Sequence, residues 1–200
     1  MRAAVFLDRD DTLIANAALA ARLREPGYLY EPGLVELLPG AAEACAALKG
    51  AGFALVIVTN QSAVARGYCG VGEVEVTNAR VRELVRERGG VEIDGCYSCP
   101  YSPDGTVPPF NVDHPWRKPN PGMILWAADD LRLDLSRSWM IGDGERDIVA
   151  AVRAGIDASR TVLIGGRGGR DGRFGRDGSA GWAAVSVLEA ARLVLTRSKA

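Results

Sequence analysis

The stretch Val5-Phe6-Leu7-Asp8-Arg9-Asp10-Asp11-Thr12-Leu13 decides the fold predicted for this chain. An apolar run from Ala3 to Leu7 ends abruptly at two carboxylates, Asp8 and Asp10. A strand with helices on both faces is apolar throughout, and the loop after its carboxyl end lies where open α/β sheets bind ligands. Two carboxylates at this spacing approach one centre and repel each other unless a metal binds them or one holds a proton. The stretch therefore predicts a buried strand that leads into a ligand site, although an acidic loop without a ligand fits the stretch alone equally well.

Length and composition limit the classes of protein to consider. The 200 residues suit a single domain over 1–200, with a loop insertion over 99–116 and a Gly/Arg-rich loop over 165–181. The chain is 48% hydrophobic and 24% charged, and its net charge of −1 gives no electrostatic case for binding nucleic acid or a membrane surface. No signal peptide or bilayer-spanning apolar run is visible, so we expect a cytoplasmic protein whose four cysteines are reduced.

Beyond the first strand, apolar segments alternate with helical patterns. Further strands are predicted at 53–58, 92–98, 138–142 and 160–164, with a short last strand at 182–185. Helices are predicted at 15–23, 41–49, 73–88 and 121–131, followed by one that ends at Ala154 and a last one capped by Ser186. This alternation predicts an α/β fold, a doubly wound, mostly parallel, Rossmann-like sheet with helices on both faces. The segments between motifs are too short for a large cap domain.

Polar side chains follow three of the predicted strands. They are Asp8 and Asp10 after the first, Thr59 and Asn60 after the second, and Asp143 and Asp147 after the fourth. The carboxyl ends of parallel strands share one edge of the sheet, so these groups can converge. Of 24 lysines and arginines only three are lysines, and one of them, Lys118, stands just before a predicted helix. Taken singly, Asp147 is also typical of a first helical turn, Thr59-Asn60 of a turn and Lys118 of a solvated side chain. The order of all of them together favours a site.

In this order the motifs resemble those of the haloacid dehalogenase (HAD) superfamily of phosphohydrolases. The matching segments are Asp8-Arg9-Asp10-Asp11-Thr12, Thr59-Asn60, Lys118 and Gly142-Asp143-Gly144-Glu145-Arg146-Asp147. One branch, the D-glycero-D-manno-heptose 1,7-bisphosphate phosphatases and histidinol-phosphate phosphatases, is similar also in Thr59-Asn60-Gln61-Ser62, Ala65-Arg66-Gly67 and Arg117-Lys118-Pro119-Asn120-Pro121-Gly122-Met123. The resemblance covers residues 8–147 and implies a HAD-type fold.

The resemblance also implies a reaction and a role for each matched residue. Asp8 would attack phosphorus to form an aspartyl-phosphate, and Asp10 would act as general acid and then as general base. Mg²⁺ would be held by Asp8, the backbone carbonyl of Asp10, and Asp143. The candidate substrate contacts are Thr59, Asn60, Arg66, Arg117 and Lys118, with Asp147 orienting Lys118 or a metal-bound water. Arg66 is equally consistent with an ordinary surface arginine.

Two positions depart from the pattern of this branch. The family usually has glycine where Asp11 stands, so we expect different backbone angles or hydrogen bonds in this loop. Gly144 stands where the heptose branch commonly has a lysine or arginine that helps to hold the substrate. Arg146 is the candidate replacement for that cation.

The loop over 99–116 departs further. The branch commonly holds a structural zinc here through a Cys-x-His and a Cys-x-Cys pair, of which only Cys99 and His114 keep metal-binding side chains. A rebuilt site of Cys96, Cys99, His114 and Asp113 is a weak alternative, because structural zinc needs four ligands in a tetrahedral array. We therefore expect no zinc.

Other interactions must then hold this loop. Its prolines, with Phe110 and Trp116 packed beneath them, are predicted to replace the metal. The same loop and residues 24–33 are expected to cover an otherwise open active site. The Gly/Arg-rich run at 165–178 is interpreted as a surface connection rather than an RNA-binding segment, because aspartates stand among its arginines.

The sequence thus predicts a Mg²⁺-dependent phosphomonoesterase that acts through an aspartyl-phosphate on a small phosphorylated metabolite. A heptose 1,7-bisphosphate, converted to the 1-phosphate, is the leading candidate substrate, and histidinol phosphate is the alternative. A non-catalytic protein that binds phosphorylated ligands is the alternative from another class, with Asp11 and Gly144 as its support. We expect no nucleic-acid or membrane partner, and a monomer or weak dimer.

Overall fold

A computed structural model of the chain describes residues 1–16, 27–166 and 181–198. Within them, six strands form one sheet in the order β3-β2-β1-β4-β5-β6. The strands are β1 (Ala4–Leu7), β2 (Ala54–Asn60), β3 (Gly95–Cys99), β4 (Trp139–Gly142), β5 (Thr161–Ile164) and β6 (Trp182–Ala184). All five pairings are parallel, which confirms the predicted doubly wound sheet. The helix predicted at 15–23 and the loop at 165–181 lie largely outside the described residues.

Helices cover both faces of this sheet. Those in the described residues are α1 (Ala41–Gly50), α2 (Val71–Gly89), α3 (Gly122–Asp130), α4 (Glu145–Arg153) and α5 (Val187–Arg197). Helices α1, α2 and α5 pack in one apolar layer, and α3 and α4 in the other. Along β1, Val5 and Leu7 enter the first layer while Ala4 and Phe6 enter the second, as the alternation of a strand requires. Because both faces are buried at the centre of the sheet, β1 and β4 are unbroken apolar runs and β2 is one as far as Val58.

Three helices begin at a residue whose backbone or side chain pairs with an acid three positions later. Gly144 N donates to Asp147 Oδ2 at the start of α4, and Gly70 N donates to Glu73 Oε2 at the start of α2. At the start of α5, Ser186 Oγ accepts from the backbone N of Glu189. Each contact satisfies a backbone or cap group that the helix itself leaves unpaired.

No helix among the described residues is long and apolar enough to cross a membrane.

Two predicted strand boundaries differ from the structure, one at each edge of the sheet. β2 continues to Asn60, beyond the predicted end at Val58, because Thr59 and Asn60 pair in register with the last residues of β3. β3 begins at Gly95 rather than at 92, because Asp94 turns its side chain to accept from Leu55 N at 2.7 Å. Thr59 and Asn60 therefore occupy the last positions of β2, beside the residues that follow β1.

Candidate active site

A cavity of about 520 Å³ opens at the carboxyl edge of the sheet, a size typical of small-molecule sites. Its wall contains carboxylates, cations and part of a covering segment, among them Asp10, Asp143, Arg117, Lys118, Arg146 and Tyr28. A second cavity, of about 500 Å³, lies at the opposite edge beside Phe53 and Arg160, and none of its described lining residues carries a carboxylate. The carboxyl-edge cavity is therefore the one equipped for chemistry.

Asp8 is only 3% exposed and is not among the described lining residues of this cavity, but it contacts one of them, Lys118. Its Oδ1 accepts a hydrogen bond from Lys118 Nζ at 2.6 Å, whereas Oδ2 has no hydrogen-bond partner among the described residues. The backbone N of Asp8 donates to the carbonyl of Ile141 at 3.0 Å, which extends the β1–β4 pairing by one residue. A buried, unpaired carboxylate oxygen is costly. Asp8 Oδ2 is thus directed to bind or attack something outside the chain.

Lys118 is the cation at the centre of the site and is only 2% exposed. Its Nζ lies 2.6 Å from both Asp8 Oδ1 and Asp147 Oδ1, and donates to the Val58 carbonyl at 2.7 Å. The side-chain amide of Asn60 accepts from Lys118 N and donates to Lys118 O, both at 3.0 Å. Burial alone would lower the pKa of Lys118, but Asp147 and Asp8 outweigh burial and raise it. The ammonium group therefore stays charged at neutral pH.

Asp147 both caps a helix and pairs with Lys118, the two alternatives that its sequence position left open. Its Oδ2 accepts from Gly144 N at 3.0 Å and so caps α4, while Oδ1 forms the ion pair with Lys118. A Cβ at Gly142 would lie 2.5 Å from Asp147 Cβ, so this approach of α4 to the end of β4 requires glycine. The fully buried Asp147 and Asp8 therefore hold the Lys118 ammonium between them.

Three carboxylates meet beside that single buried ammonium. One oxygen from each of Asp8, Asp143 and Asp147 lies within 4.8 Å of the others. Burial, and then repulsion by Asp8 and Asp147, raises the pKa of Asp143 to about 7. Lys118 pairs with Asp8 and Asp147, and the half-exposed Arg146 lies 3.5 Å from Asp143, so the three carboxylates are only partly neutralised by the cations beside them. Oxygen ligands and an unpaired Asp8 Oδ2 are what a hard cation needs, so these residues fit Mg²⁺.

Asp10 stands at the cavity wall and is held by two side chains to which the sequence assigned no role. Arg9 Nε donates to Asp10 Oδ1 at 3.1 Å, and Arg9 Nη2 donates to Oδ2 at 3.2 Å. Gln61 Nε2 donates to Asp10 Oδ2 at 2.9 Å and to Thr59 Oγ1 at 2.8 Å. From the sequence alone, an arginine in an acidic loop is predicted to be a surface residue. The one feature that indicates a role for Arg9 is its position between two aspartates of the matched motif.

The two departures from the family pattern have different structural consequences. Asp11 adopts a φ of +55°, in the left-handed region that favours glycine, and its Oδ1 accepts from Asn16 N at 3.0 Å. Aspartate is one of the few residues that tolerate this region. Gly144 has a φ of −121°, which any residue adopts, so its backbone does not require glycine. Arg146 lies beside Gly144 and lines the cavity, where a replacement cation is needed.

The two candidate arginines have different surroundings. Arg117 lines the cavity, and its Nη1 donates to the carbonyl of Tyr101 at 3.1 Å. Arg66 is not among the described lining residues; its Nη2 lies 3.9 Å from Asp104 of the long loop. The contact geometry therefore ties Arg66 to the loop, and a substrate contact for it stays a prediction.

A series of aromatic contacts holds the long loop, and we call its six residues the ring chain. Successive centroid distances are 5.5 Å for Tyr97–Trp126, 4.3 Å for Trp126–Trp116, 5.3 Å for Trp116–His114, 4.0 Å for His114–Tyr101 and 5.5 Å for Tyr101–Phe110. The predicted packing residues Phe110 and Trp116 both belong to it. The predicted cover is only partly found: among the described lining residues, 27–29 contribute but 99–116 do not.

Cys96 and Cys99 lie on opposite faces of β3, as positions i and i+3 of a strand must. Cys96 packs against the layer of α1, α2 and α5, whereas Cys99 is buried in the layer of α3 and α4. His114 Nδ1 accepts from Trp116 N at 3.2 Å and its ring stacks on Tyr101. This geometry argues against one shared metal site for the three side chains, while the expectation of no zinc stays a prediction.

Comparisons with known proteins find phosphatases of similar sequence and fold. A family model described as HAD-hydrolase-like matches residues 115–163. The D-glycero-β-D-manno-heptose-1,7-bisphosphate 7-phosphatase of Yersinia pestis is 38% identical over 162 residues, which are 81% of this chain and 81% of that protein. A HAD-like phosphatase from Mesorhizobium loti superposes with a TM-score of 0.82 at 36% identity, covering 99% of this chain and 87% of that one. The D,D-heptose 1,7-bisphosphate phosphatase of B. bronchiseptica, solved with magnesium and phosphate, gives 0.74 at 26% identity, covering 98% and 99%.

Proposed function

The chain belongs to the HAD-like family of D-glycero-β-D-manno-heptose-1,7-bisphosphate 7-phosphatases, and on that premise we propose that it is a Mg²⁺-dependent phosphomonoesterase that removes the 7-phosphate of a heptose 1,7-bisphosphate. The observation that carries the proposal is the state of Asp8. Lys118 holds one of its oxygens, and the other is buried without a hydrogen-bond partner in the part of the chain that the structure describes. A purely structural ion pair has no reason to leave an oxygen unpaired, whereas a nucleophile needs one.

In the first step, Asp8 Oδ2 attacks phosphorus and the bond from phosphorus to the sugar oxygen breaks. Asp10, at the cavity wall, gives its proton to that leaving oxygen. Lys118 remains on Asp8 Oδ1, so the carboxylate keeps Oδ2 forward and the ammonium offsets the charge of the phosphoryl group. Thr59 Oγ1 accepts from Gln61, which leaves the hydroxyl proton to donate to a phosphoryl oxygen.

In the second step, a water molecule attacks the phosphorus of the aspartyl-phosphate. Asp10, now deprotonated, takes the proton of that water, and the bond between Asp8 and phosphorus breaks to release phosphate. Both steps use the same carboxylate as acid and then as base, so Asp10 must keep one orientation throughout. Splitting the hydrolysis in this way replaces one difficult displacement by two easier ones.

Mg²⁺ would be held by the side chains of Asp8 and Asp143 and by the backbone carbonyl of Asp10. Asp147 is already paired with Lys118 and with Gly144 N, which makes it an orienting group rather than a metal ligand. When bound, the ion supplies positive charge next to the phosphoryl oxygens. The support for this assignment is the surplus of negative charge among the three carboxylates and the raised pKa of Asp143.

The second phosphate of a bisphosphate needs cations away from Asp8. Arg117 and Arg146 both line the cavity, and we assign them to this phosphate or to the sugar next to it. Arg146 takes the place of the cation that the family usually carries at the position of Gly144. Its guanidinium lies 3.5 Å from Asp143 and is half exposed, so it can turn from Asp143 to a ligand.

The test is phosphate release from heptose 1,7-bisphosphate, sugar monophosphates and histidinol phosphate, each with Mg²⁺ or with EDTA. We expect the bisphosphate to be the best substrate, with release of the 7-phosphate and no turnover in EDTA. The Asp8→Asn variant keeps the shape of the side chain but is expected to lose activity by at least about 10³-fold. If the wild-type protein binds these compounds without turning any of them over, the site is one for binding and the proposal fails.

A further inference from the structure

Arg9 is a fully buried arginine in the middle of the phosphatase motif. Its guanidinium donates four hydrogen bonds. Two go to the Asp10 carboxylate, one goes from Nη1 to Asn78 Oδ1 at 2.8 Å, and one goes from Nη2 to the carbonyl of Leu29 at 3.1 Å. Asn78 lies on α2, and Leu29 lines the cavity in the covering segment. One side chain thus joins the acid–base carboxylate, a helix and the cover of the site.

Arginine is rarely buried, and a buried arginine needs an ion pair and hydrogen bonds such as those of Arg9. A guanidinium has five N–H donors in a rigid fork, and here four contacts use that fork. A lysine would supply the same charge from a single point on a flexible stem. The arrangement therefore does more than neutralise Asp10, because it also fixes the direction in which the carboxylate points.

The contacts hold both oxygens of Asp10. Oδ2 accepts from both Arg9 Nη2 and Gln61 Nε2, which uses its two acceptor positions. Oδ1 accepts from Arg9 Nε at 3.1 Å and lies 3.0 Å from Arg9 Nη2. The side chain is 21% exposed and lines the cavity, so this carboxylate can exchange a proton with the leaving oxygen or with water while Arg9 and Gln61 fix its orientation.

We propose that Arg9 is a positioning residue for the acid–base steps, which holds the Asp10 carboxylate at the cavity wall in one orientation and ties this orientation to α2 and to the covering segment. Arg9 has no contact with Asp8 among the described hydrogen bonds and ion pairs, so the attack itself is left intact. This inference rests on the proposed function, because it assigns a role within that reaction. It predicts a selective defect in proton transfer rather than a general loss of active protein.

The experiment compares two substrates in wild type, Asp10→Asn, Arg9→Lys and Asn78→Ala. The sugar bisphosphate needs a proton on its leaving oxygen, whereas p-nitrophenyl phosphate releases a stable anion that needs none. For Arg9→Lys we expect kcat on the sugar to fall by about 10²-fold, the scale of a general acid–base contribution, with little change in KM. On p-nitrophenyl phosphate we expect a burst of about one nitrophenolate per active site, because the first step survives and hydrolysis of the aspartyl-phosphate is slow.

The same burst is expected for Asp10→Asn, which serves as the reference for a lost acid–base group. Asn78→Ala removes only the acceptor of Arg9 Nη1, so a weaker defect of the same kind is expected. If Arg9→Lys does not fold, the Asn78→Ala variant still shows whether Arg9 positions Asp10. The matched control is Arg80→Lys, because Arg80 is paired on the exposed part of α2 and should behave as wild type. Urea unfolding of each variant separates loss of fold from loss of orientation.

Three outcomes would overturn the inference, and they are distinguishable. If wild type hydrolyses neither substrate, the proposed function fails and the role of Arg9 fails with it. If Asp10→Asn shows the burst but Arg9→Lys and Asn78→Ala turn over both substrates like wild type, Arg9 does not position Asp10. If the Arg9 and Asn78 variants lose both substrates in equal proportion without a burst, Arg9 is a structural residue only.

Discussion

Trp116 and Lys118 are two residues apart in the chain, yet opposite kinds of interaction hold them. Trp116 stacks on Trp126 and meets the edge of His114 in the ring chain. Lys118 is held by charge, between Asp8 and Asp147 and against the Val58 carbonyl. Apolar ring contacts add up from many weak atom pairs and tolerate small shifts. A buried ion pair depends on a few short distances and on protonation, so the two ends of this segment should respond differently to the same treatment.

The largest effect is expected from Lys118→Met, at the charged end of the segment 116–118. The substitution leaves Asp8 and Asp147 buried without their cation, which typically destabilises a protein by about 3–5 kcal/mol. Activity should fall by at least about 10³-fold, because the charge facing the phosphoryl group is lost as well. Urea unfolding and kcat/KM measure the two effects. Lys49→Met is the matched control, because Lys49 pairs with Asp94 at the other edge of the sheet and Asp94 would still contact Arg2 and Leu55 N. A comparable loss of stability and activity in both variants would contradict the role assigned to Lys118.

Gly142→Ala tests how closely the charged end is packed. The added methyl would lie 2.5 Å from Asp147 Cβ, so Asp147 must move away from Lys118. We expect a loss of about 1–3 kcal/mol from overpacking and a fall in kcat of about 10–100-fold. Gly144→Ala is the control, since the nearest atom to its methyl would be an ordinary contact at 3.4 Å. Equal activity of the two variants would show that the position of Asp147 does not matter.

The charged end should also respond to pH, through Asp143. Its pKa is raised from 3.8 to about 7 in the folded, metal-free site, so the folded protein binds this proton more tightly than the unfolded chain does. The contribution of Asp143 to the free energy of unfolding is therefore present below pH 3.8 and is lost as the pH rises towards 7. Mg²⁺ binds only the deprotonated form, so its affinity should fall about tenfold per pH unit below 7 and level off above it.

Calorimetric titration with Mg²⁺ at pH 6, 7 and 8 measures this dependence, and proton release should accompany binding below about pH 7. Asp143→Asn is the control, because it removes the titrating group and should abolish the pH dependence along with most of the affinity. An affinity that does not change over this range in the wild-type protein would mean that Asp143 is already ionised without the metal.

The smallest effect is expected at the aromatic end, from Trp116→Ala. The variant loses two ring contacts, each worth about 0.5–1.5 kcal/mol, so they lower the free energy of unfolding by about 1–3 kcal/mol in addition to the lost burial of the ring. Activity should fall by only about two- to fivefold, because Asn60 still holds the backbone of Lys118 in place. Val112→Ala, at an exposed residue of the same loop, is the control. A collapse of activity as large as that of Lys118→Met would mean that the ring chain, not Asn60, positions the lysine.

Much of the site could be predicted because it follows from local pattern and sheet geometry. Buried strands leave unbroken apolar runs, and the residues after them must meet at one edge when the strands are parallel. This is why Asp8 and Asp143 lie close together, and why Thr59 ends its strand at the same edge. The errors at the ends of β2 and β3 were small, and arose because pairing between strands, not composition, decides where a strand stops.

Other features required contacts between distant parts of the chain. Arg9 meets Asn78 across 69 residues, and Lys118 meets Asp8 across 110. Nothing in the local sequence says that Arg9 turns inwards or that Arg66 turns to the long loop, because the direction of a long side chain depends on what packs around it. The aromatic residues of the ring chain were visible as composition, but their order of stacking was not.

By itself, the sequence determined the parallel α/β fold, the edge of the sheet that carries the site, and the family to which the chain belongs. These depend on periodicity and motif order, which are properties of the linear chain. Only the tertiary structure decided that Asp147 serves both Gly144 and Lys118, that Cys96 and Cys99 face opposite layers, and that Arg9 holds Asp10. Each of these is a matter of ångströms and of which face a side chain occupies, and packing sets both.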